Sequence, residues 1–330
     1  MDLLVLGGTA WLGRSVAREA LARGHRVTCL ARGSSGPPPE GAALVTGDRD
    51  TPAGYDGLNG AAFDAVVDLS RQPRQVQTAL DALSSRVGHW SFVSTCSVYA
   101  DDLTPGQDES GPLHPAWVGE GEAALEEYGP AKVACEEAVL AREGASCVTR
   151  SGLIVGAGDG SDRFGYWPAR VDRAVANREP VLVPALDSAV QVLDVDDFAT
   201  WLVSLAERGT AGVLNAVGDV LTFGDVIAAC GAASGGTPDL LERSDEWLTE
   251  HSVEPWSGPE SLPLWLPRAT YGGFMRRRNH AGKTAGLVLR PLADTVGAAL
   301  GWERELGLER ERRAGLSPLR EAELSQISGD

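Results

Sequence analysis

Leu3 to Leu6 is a short apolar run of strand character. It breaks into Gly7-Gly8-Thr9-Ala10-Trp11-Leu12-Gly13, and a helical pattern then runs from Leu12 to Arg23, closed by Gly24. Strand, glycine turn and helix in that order leave few folds open. Glycines permit a tight turn and close backbone approach, and the N-terminus of the following helix offers free N–H groups to a pyrophosphate. Alone, a glycine-rich turn says little. Placed after a first strand and opening a helix, it stands where a dinucleotide site requires it.

The rest of the first half keeps the same rhythm. Strand-like runs recur at Arg26 to Leu30, Ala43 to Val45, Ala65 to Leu69, Trp90 to Ser94 and Ser146 to Thr149, with amphipathic stretches such as Arg74 to Ser85 between them. Alternation at this spacing predicts βαβ units, hence an α/β fold with a doubly wound parallel sheet. Further on, Gln191 to Val195 and Gly212 to Val217 read as two short strands around a helix over Asp197 to Glu207. Residues 33–41 form a loop, and 101–121 a long polar segment of the kind that borders an active site. Residues 237–268 are rich in Pro, Glu and Trp and are assigned to a smaller C-terminal domain, and the last 20 or so residues read as a charged helix with a frayed end. The expected division is a dinucleotide-binding domain over 1–155, with 189–217 returning to it, and a smaller substrate-binding domain and tail over 156–188 and 218–330.

At the ribose end of such a site, NAD-binding chains usually place Asp or Glu at the tip of the second strand. The tip here is Cys29-Leu30-Ala31-Arg32, without an acid. A guanidinium suits a 2′-phosphate, so NADP is the expected cofactor and NAD the alternative.

A second constellation is Tyr128-Gly129-Pro130-Ala131-Lys132, opening a helical pattern that runs to Ala141. Residues i and i+4 share a helix face, so the phenol and the ammonium can address one cleft. Free tyrosine is too weakly acidic to act as a base at neutral pH, and a neighbouring ammonium would lower its pKa. Lys132 and Lys283 are the only lysines; the other 27 of the 29 basic residues are arginine. With two lysines and five tyrosines in 330 residues, chance would seldom place one four positions after the other.

Charge and cysteines narrow the function further. A formal net charge of −17, with no basic stripe interleaved with aromatics, argues against nucleic acid as a partner. The five cysteines, Cys29, Cys96, Cys135, Cys147 and Cys230, lack any C-x-x-C spacing, so buried reduced thiols are expected and no metal site. Neither a membrane span nor a secretory signal is legible, and a cytoplasmic location with no membrane partner is expected.

With these motifs assembled, the chain resembles the extended and atypical short-chain dehydrogenase/reductases, the NAD-dependent epimerase/dehydratase family, in the branch whose loop reads GGT-x-F-x-G. The resemblance covers roughly residues 1–300. It rests on GGTAWLG at 7–13, GDRD at 47–50, VVDLS at 66–70, FVSTCSVYA at 92–100, YGPAK at 128–132 and RSGLIVGAGD at 150–159, with VLDVDDFA at 192–199 and LRPLADT at 289–295. It implies a Rossmann fold in which Gly7, Thr9, Ala10, Trp11, Leu12 and Gly13 cradle the cofactor. It also implies that Asp48 holds the adenine, that Leu69 and Ser70 line the cofactor, that Lys132 grips the nicotinamide ribose, and that Tyr128 donates or accepts the proton. The family's catalytic hydroxyl falls on Thr95, with Ser94 and Ser97 as neighbours. A homodimer through the helix bearing Tyr128 and the stretch before it is a further implication.

Departures from the pattern shape the expected chemistry. Sugar-nucleotide 4,6-dehydratases carry an Asp-Glu pair after the catalytic Thr, and Cys96-Ser97 stand here instead, so elimination of water is not expected. Leu153 stands where nucleotide-sugar members commonly place an Asn, which weighs against a nucleotide. Trp117, His114 and the run Ser161 to Trp167, including Arg163 and Tyr166, are candidates for a substrate pocket. The expected function is therefore an NADP(H)-dependent oxidoreductase interconverting a carbonyl and an alcohol on a small non-nucleotide metabolite, with Tyr128, Thr95 and Lys132 as its machinery. The alternative is an NAD-dependent epimerase acting on a sugar nucleotide or other sugar. A third is a cofactor-sensing or RNA-associated role, the latter because the same loop branch resembles some plastid RNA-associated proteins.

Overall fold

A computed structural model of the chain describes residues 1–327. Strand β1 (Asp2–Leu6) lies inside a seven-stranded sheet, between β2 (Arg26–Ala31) and β4 (Phe63–Asp68), and pairs parallel with both. A central parallel strand is covered on both faces and so reads as a continuous apolar run rather than an alternating one. Leu3 and Val5 pack into one core with Val16, Ala17 and Ala20 of α1 (Trp11–Ala22). Leu4 and Leu6 pack into another, with Val76 and Leu80 of α2 (Pro73–Leu83) and Cys135 and Val139 of α3 (Tyr128–Leu140). Successive side chains on opposite sides of one strand thus anchor the two helical layers.

From one edge the sheet runs Gly212–Ala216, β6 (Ala145–Ser151), β5 (Val87–Thr95), β4, β1, β2 and β3 (Ala43–Thr46), all parallel. Strand order reverses between β1 and β4, which opens a crevice at their C-terminal ends where ligands of such folds bind. All five cysteines are buried and free.

The two later strands expected from sequence part company. Gly212–Ala216 joins the sheet beside β6, whereas Val192–Asp194 pairs with Leu153–Val155 in a separate two-stranded ribbon. The helix between them spans Val195–Arg208, its N-terminus capped by the Asp194 carboxylate, which accepts from the Asp196 N–H at 2.9 Å.

A third core collects residues from 153 onward, centred on Trp167 and Phe223, whose rings meet edge to face at 4.7 Å between centroids. The tail helix expected from sequence is present, and the end beyond residue 327, expected to fray, lies outside the described residues. Helix Pro318–Ser325 docks, and its Glu321 is buried, accepting from Arg170 Nε at 2.6 Å and from the Leu182 N–H at 3.2 Å. A charge that reads as solvated in sequence is here half of a buried ion pair.

Candidate active site

The chain turns from β1 into α1 within four residues, and steric limits explain which of them are glycine. Gly7 has φ +94°, a conformation L side chains rarely adopt. A Cβ at Gly8 would lie 2.4 Å from Cys29 Sγ, and one at Gly13 would lie 2.3 Å from the Gly7 carbonyl oxygen. Bare backbone at 8 and 13 therefore seats the turn on β2 and the helix on the turn. Ala10 is the exposed N-cap residue of α1, and neither a capping side chain nor an acid in the first turn competes for the leading N–H groups. Trp11 and Leu12 are half-buried; Thr9 is buried behind the turn. Trp11 Nε1 donates to the Ala157 carbonyl at 2.8 Å, tying the turn to the segment that follows Leu153–Val155.

Gly7 and Ala10 border a cleft of about 420 Å³, also lined by Arg32, Arg49, Leu69, Arg71 and Tyr128. Arg32 is exposed at the tip of β2. Asp48 stands outside this lining, exposed, with its carboxylate accepting from the Asp50 N–H at 3.1 Å. Its neighbour Arg49 enters instead, donating to Ser70 Oγ at 2.6 Å and lying 3.7 Å from Asp68 Oδ1. Ser70 is wholly buried, and its hydroxyl donates to Asp68 at 2.5 Å, so it supports the cleft from beneath while Leu69 forms its wall.

A 3₁₀ turn, Leu125–Glu127, delivers Tyr128 as the first residue of α3. The Tyr128 ring, half-buried with the Arg71 guanidinium 5.5 Å from its centroid, lines both the cleft and a second cavity of about 560 Å³. One turn on, Lys132 is buried; its Nζ donates to the Ser70 carbonyl at 2.6 Å and the Val93 carbonyl at 2.7 Å, 4.5 Å from the centre of the Phe92 ring. The ammonium thus straps β5 to the chain leaving β4, below the same cleft.

Thr95, at the end of β5, lines neither cavity. Its hydroxyl accepts from the Ser97 N–H at 3.1 Å and lies 3.2 Å from Ser97 Oγ, and Ser97 is the hydroxyl that faces the second cavity. Ser94 is committed elsewhere, donating to buried Glu136 at 2.5 Å, and Glu136 in turn pairs with Arg150 at 2.8 Å. Burial pushes the Cys96 thiol up to about 12, which removes it as an acid or base near neutrality.

The walls of the second cavity are largely missing from the sequence-based candidates. Trp256, Tyr271 and Phe274 form an aromatic cluster, Phe274 meeting the other two edge to face at 5.7 and 6.4 Å, with Pro255 and Leu266 beside them. Asp102 and His114 supply polar groups. Burial raises the Asp102 pKa against the pull of Arg277, whose Nη2 lies 2.7 Å from its carboxylate. Of the residues proposed for the pocket, His114 is in place. Trp117 is outside the lining, and Tyr166 and Trp167 belong to the third core, the Trp167 indole donating to the Pro263 carbonyl at 2.9 Å. Arg163 stacks on Trp256 with its guanidinium carbon 5.2 Å from the ring centroid. The signal for the aromatic wall was present in the tryptophan- and proline-rich run after 253, but neither helical nor strand periodicity marked which rings face inward.

A parallel doubly wound sheet, with an uncapped helix N-terminus at its switch point and a Tyr-x-x-x-Lys helix lining the crevice, defines a nicotinamide-dinucleotide enzyme of the short-chain dehydrogenase type. The chain belongs to the NAD dependent epimerase/dehydratase family, whose model matches residues 3–217. It is 29% identical over 324 residues to a dTDP-6-deoxy-L-talose 4-dehydrogenase (NAD(P)(+)) from Kitasatospora kifunensis, covering 85% of this chain and 95% of that one. Among solved structures it resembles a putative epimerase from Burkholderia cenocepacia J2315, with a TM-score of 0.68 and 20% identity over 92% of this chain and 98% of that one. It also resembles the UDP-N-acetylglucosamine 4-epimerase from Bacillus cereus, with a TM-score of 0.65 and 17% identity over 93% and 98% of the two chains. No helix among the described residues is long and apolar enough to cross a membrane.

Proposed function

We propose that the protein transfers hydride between NAD(P) and a carbinol or carbonyl carbon of a sugar nucleotide. The observation that carries this reading is the position of Tyr128, whose ring lines both the cleft at the glycine turn and the aromatic cavity, where the two reactants would meet. The cleft suits a dinucleotide: bare backbone at Gly7 and uncapped N–H groups at the start of α1 would take the pyrophosphate, and arginines 32, 49 and 71 give it a cationic rim. Bound there, the cofactor supplies the hydride donor or acceptor. In reduction Tyr128 gives its phenolic proton to the carbonyl oxygen, and in oxidation it takes the hydroxyl proton. Ser97, backed by Thr95, would hydrogen-bond that oxygen.

The relative's substrate supports a sugar nucleotide over the small non-nucleotide metabolite expected from sequence. Leu153 packs into the third core, 4% exposed, so it offers no phosphate contact, and a diphosphate would have to be held by other residues.

The test is turnover of a panel of dTDP- and UDP-sugars followed by nicotinamide absorbance and product analysis. Tyr128→Phe should lower turnover by roughly 10²–10⁴-fold with cofactor affinity unchanged. Retention of wild-type turnover by that variant would remove Tyr128 from the chemistry. An epimer formed with no net change in nicotinamide would assign the same residues to a transient oxidation.

A further inference from the structure

Asp102, in the wall of the aromatic cavity, is a carboxylate gripped on one side only. Its neighbour closes the turn that carries it: Asp101 accepts from the Leu103 and Thr104 N–H groups at 2.8 and 3.0 Å and from Gln107 Nε2 at 2.7 Å. Arg277, with no exposed side chain, backs this turn and lies with its guanidinium carbon 4.1 Å from the centre of the Tyr99 ring. It donates to Gln107 Oε1 at 2.8 Å, to the Asp101 carbonyl at 3.1 Å and to Asp102 Oδ1 at 2.7 Å. The Asp102 carbonyl accepts from the Gly273 N–H at 2.7 Å, so the acid is fixed through backbone and side chain to the segment that carries Phe274. Among the described residues, Asp102 Oδ2 has no hydrogen-bond partner. The side chain is 28% exposed and the residue lines the cavity, so that oxygen is open to a ligand rather than sealed in the core. Burial outweighs Arg277 and raises the Asp102 pKa, as befits a carboxylate short of donors.

The surroundings narrow what that donor is. Trp256, Tyr271 and Phe274 give the cavity an aromatic wall, and its other acid, Glu126, is exposed. A carboxylate repels phosphate and accepts from hydroxyls, and a sugar ring brings hydroxyl donors together with C–H surface that packs on aromatic rings. Tyr128 and Ser97 line the same cavity, so the part of the substrate lying beside Asp102 is the part that reacts.

We propose that Asp102 is a specificity-determining residue, its free oxygen accepting a hydrogen bond from a hydroxyl of the reacting sugar ring. The assignment rests on the sugar-nucleotide reading of the site. An acceptor placed for a hydroxyl selects against the analogue that lacks it, because the acceptor is then left unpaired.

Calorimetric titration in the presence of NADPH, where a sugar alcohol meets no oxidant and is not turned over, tests it. The probes are UDP, dTDP, the UDP and dTDP conjugates of glucose and galactose, their 2-, 3-, 4- and 6-deoxy analogues, and the free sugars. Wild type is compared with Asp102→Ala and with Asp102→Asn, which keeps the side chain's size beside Arg277 and reads the same difference if the alanine variant does not fold. Loss of one ring hydroxyl should weaken binding to wild type by about tenfold or more. That penalty should vanish in Asp102→Ala and shrink in Asp102→Asn, while the affinities for UDP, dTDP and NADPH do not move. A purely structural pair with Arg277 would shift all probes together and keep the deoxy penalties of the wild type. Penalties that are the same in wild type and variants, or a loss already complete with UDP and dTDP, overturn the assignment and leave the sugar-nucleotide reading standing. A hydroxyl penalty that depends on Asp102 but is seen with the free sugars alone sinks the sugar-nucleotide reading and keeps the site. No binding of any probe by the wild type overturns both.

Discussion

Replacing Lys132 by Met separates the strap that its ammonium forms from the ribose-binding role that the family resemblance implies for it. The thioether side chain keeps most of the stem over Phe92 and removes only the charge and its donors. In the folded chain those donors meet the Ser70 and Val93 carbonyls at 2.6 and 2.7 Å, with Lys132 3% exposed. Hydrogen bonds from a charged donor contribute about 1.5–3 kcal/mol each. The substitution also relieves the cost of keeping an ammonium out of water, which offsets part of the loss. A net destabilisation of about 2–4 kcal/mol follows, readable as a lower urea midpoint with an unchanged slope. Circular dichroism in urea, beside a cofactor titration, reads the stability and the binding role separately. Unfolding at the wild-type midpoint together with lost cofactor affinity would show that the ammonium stands free in the cleft. The strap between the chain leaving β4 and strand β5 would then be refuted.

Two further outcomes follow from single side chains. Burial holds His89 down to about 4 from an ordinary value of 6.5, so the unfolded chain binds the extra proton across that interval. Stability should be fully present above pH 6.5 and fall as the pH drops towards 4, by on the order of 3 kcal/mol; urea unfolding across that range should show a shallower slope for His89→Gln. Arg32→Ser should weaken NADPH about tenfold and leave NADH nearly unchanged, as judged by nicotinamide fluorescence; equal losses would place Arg32 off the 2′-phosphate.

Where chemistry and local geometry coincide in a short stretch, the sequence was readable. The apolar run at β1, the glycines at 8 and 13 and the four-residue step from Tyr128 to Lys132 each impose a constraint within a turn or two of chain. Legibility failed where neighbours in space are remote in sequence. The GDRD motif pointed to Asp48, whereas its neighbour Arg49 borders the cleft because its partner is Ser70, 21 positions on. The aromatic wall comes from elements of only three or four residues, strand Glu254–Trp256 and helix Arg268–Tyr271, with Trp256 at φ +68°, too short for a period of 2 or 3.6 to reveal an inward face. Thr95, where the family's hydroxyl falls, lines neither cavity, because the 3₁₀ turn after β5 brings the Ser97 hydroxyl to the wall instead.

The docked tail bears on how the molecule is made. Asp162 and Arg170 are buried near the middle of the chain, and their partners Arg310 and Glu321 are synthesised 148 and 151 residues later. While the ribosome is still adding those residues, the dinucleotide-binding sheet already has every strand it needs. The third core still holds an unmatched Asp162 carboxylate and an Arg170 guanidinium matched only in part, by Glu179 at 3.5 Å and the Pro180 carbonyl. Its closure therefore waits on the arrival of residues 310–321, and a nascent chain stalled short of them would hold a completed sheet beside an open, chaperone-accessible lobe.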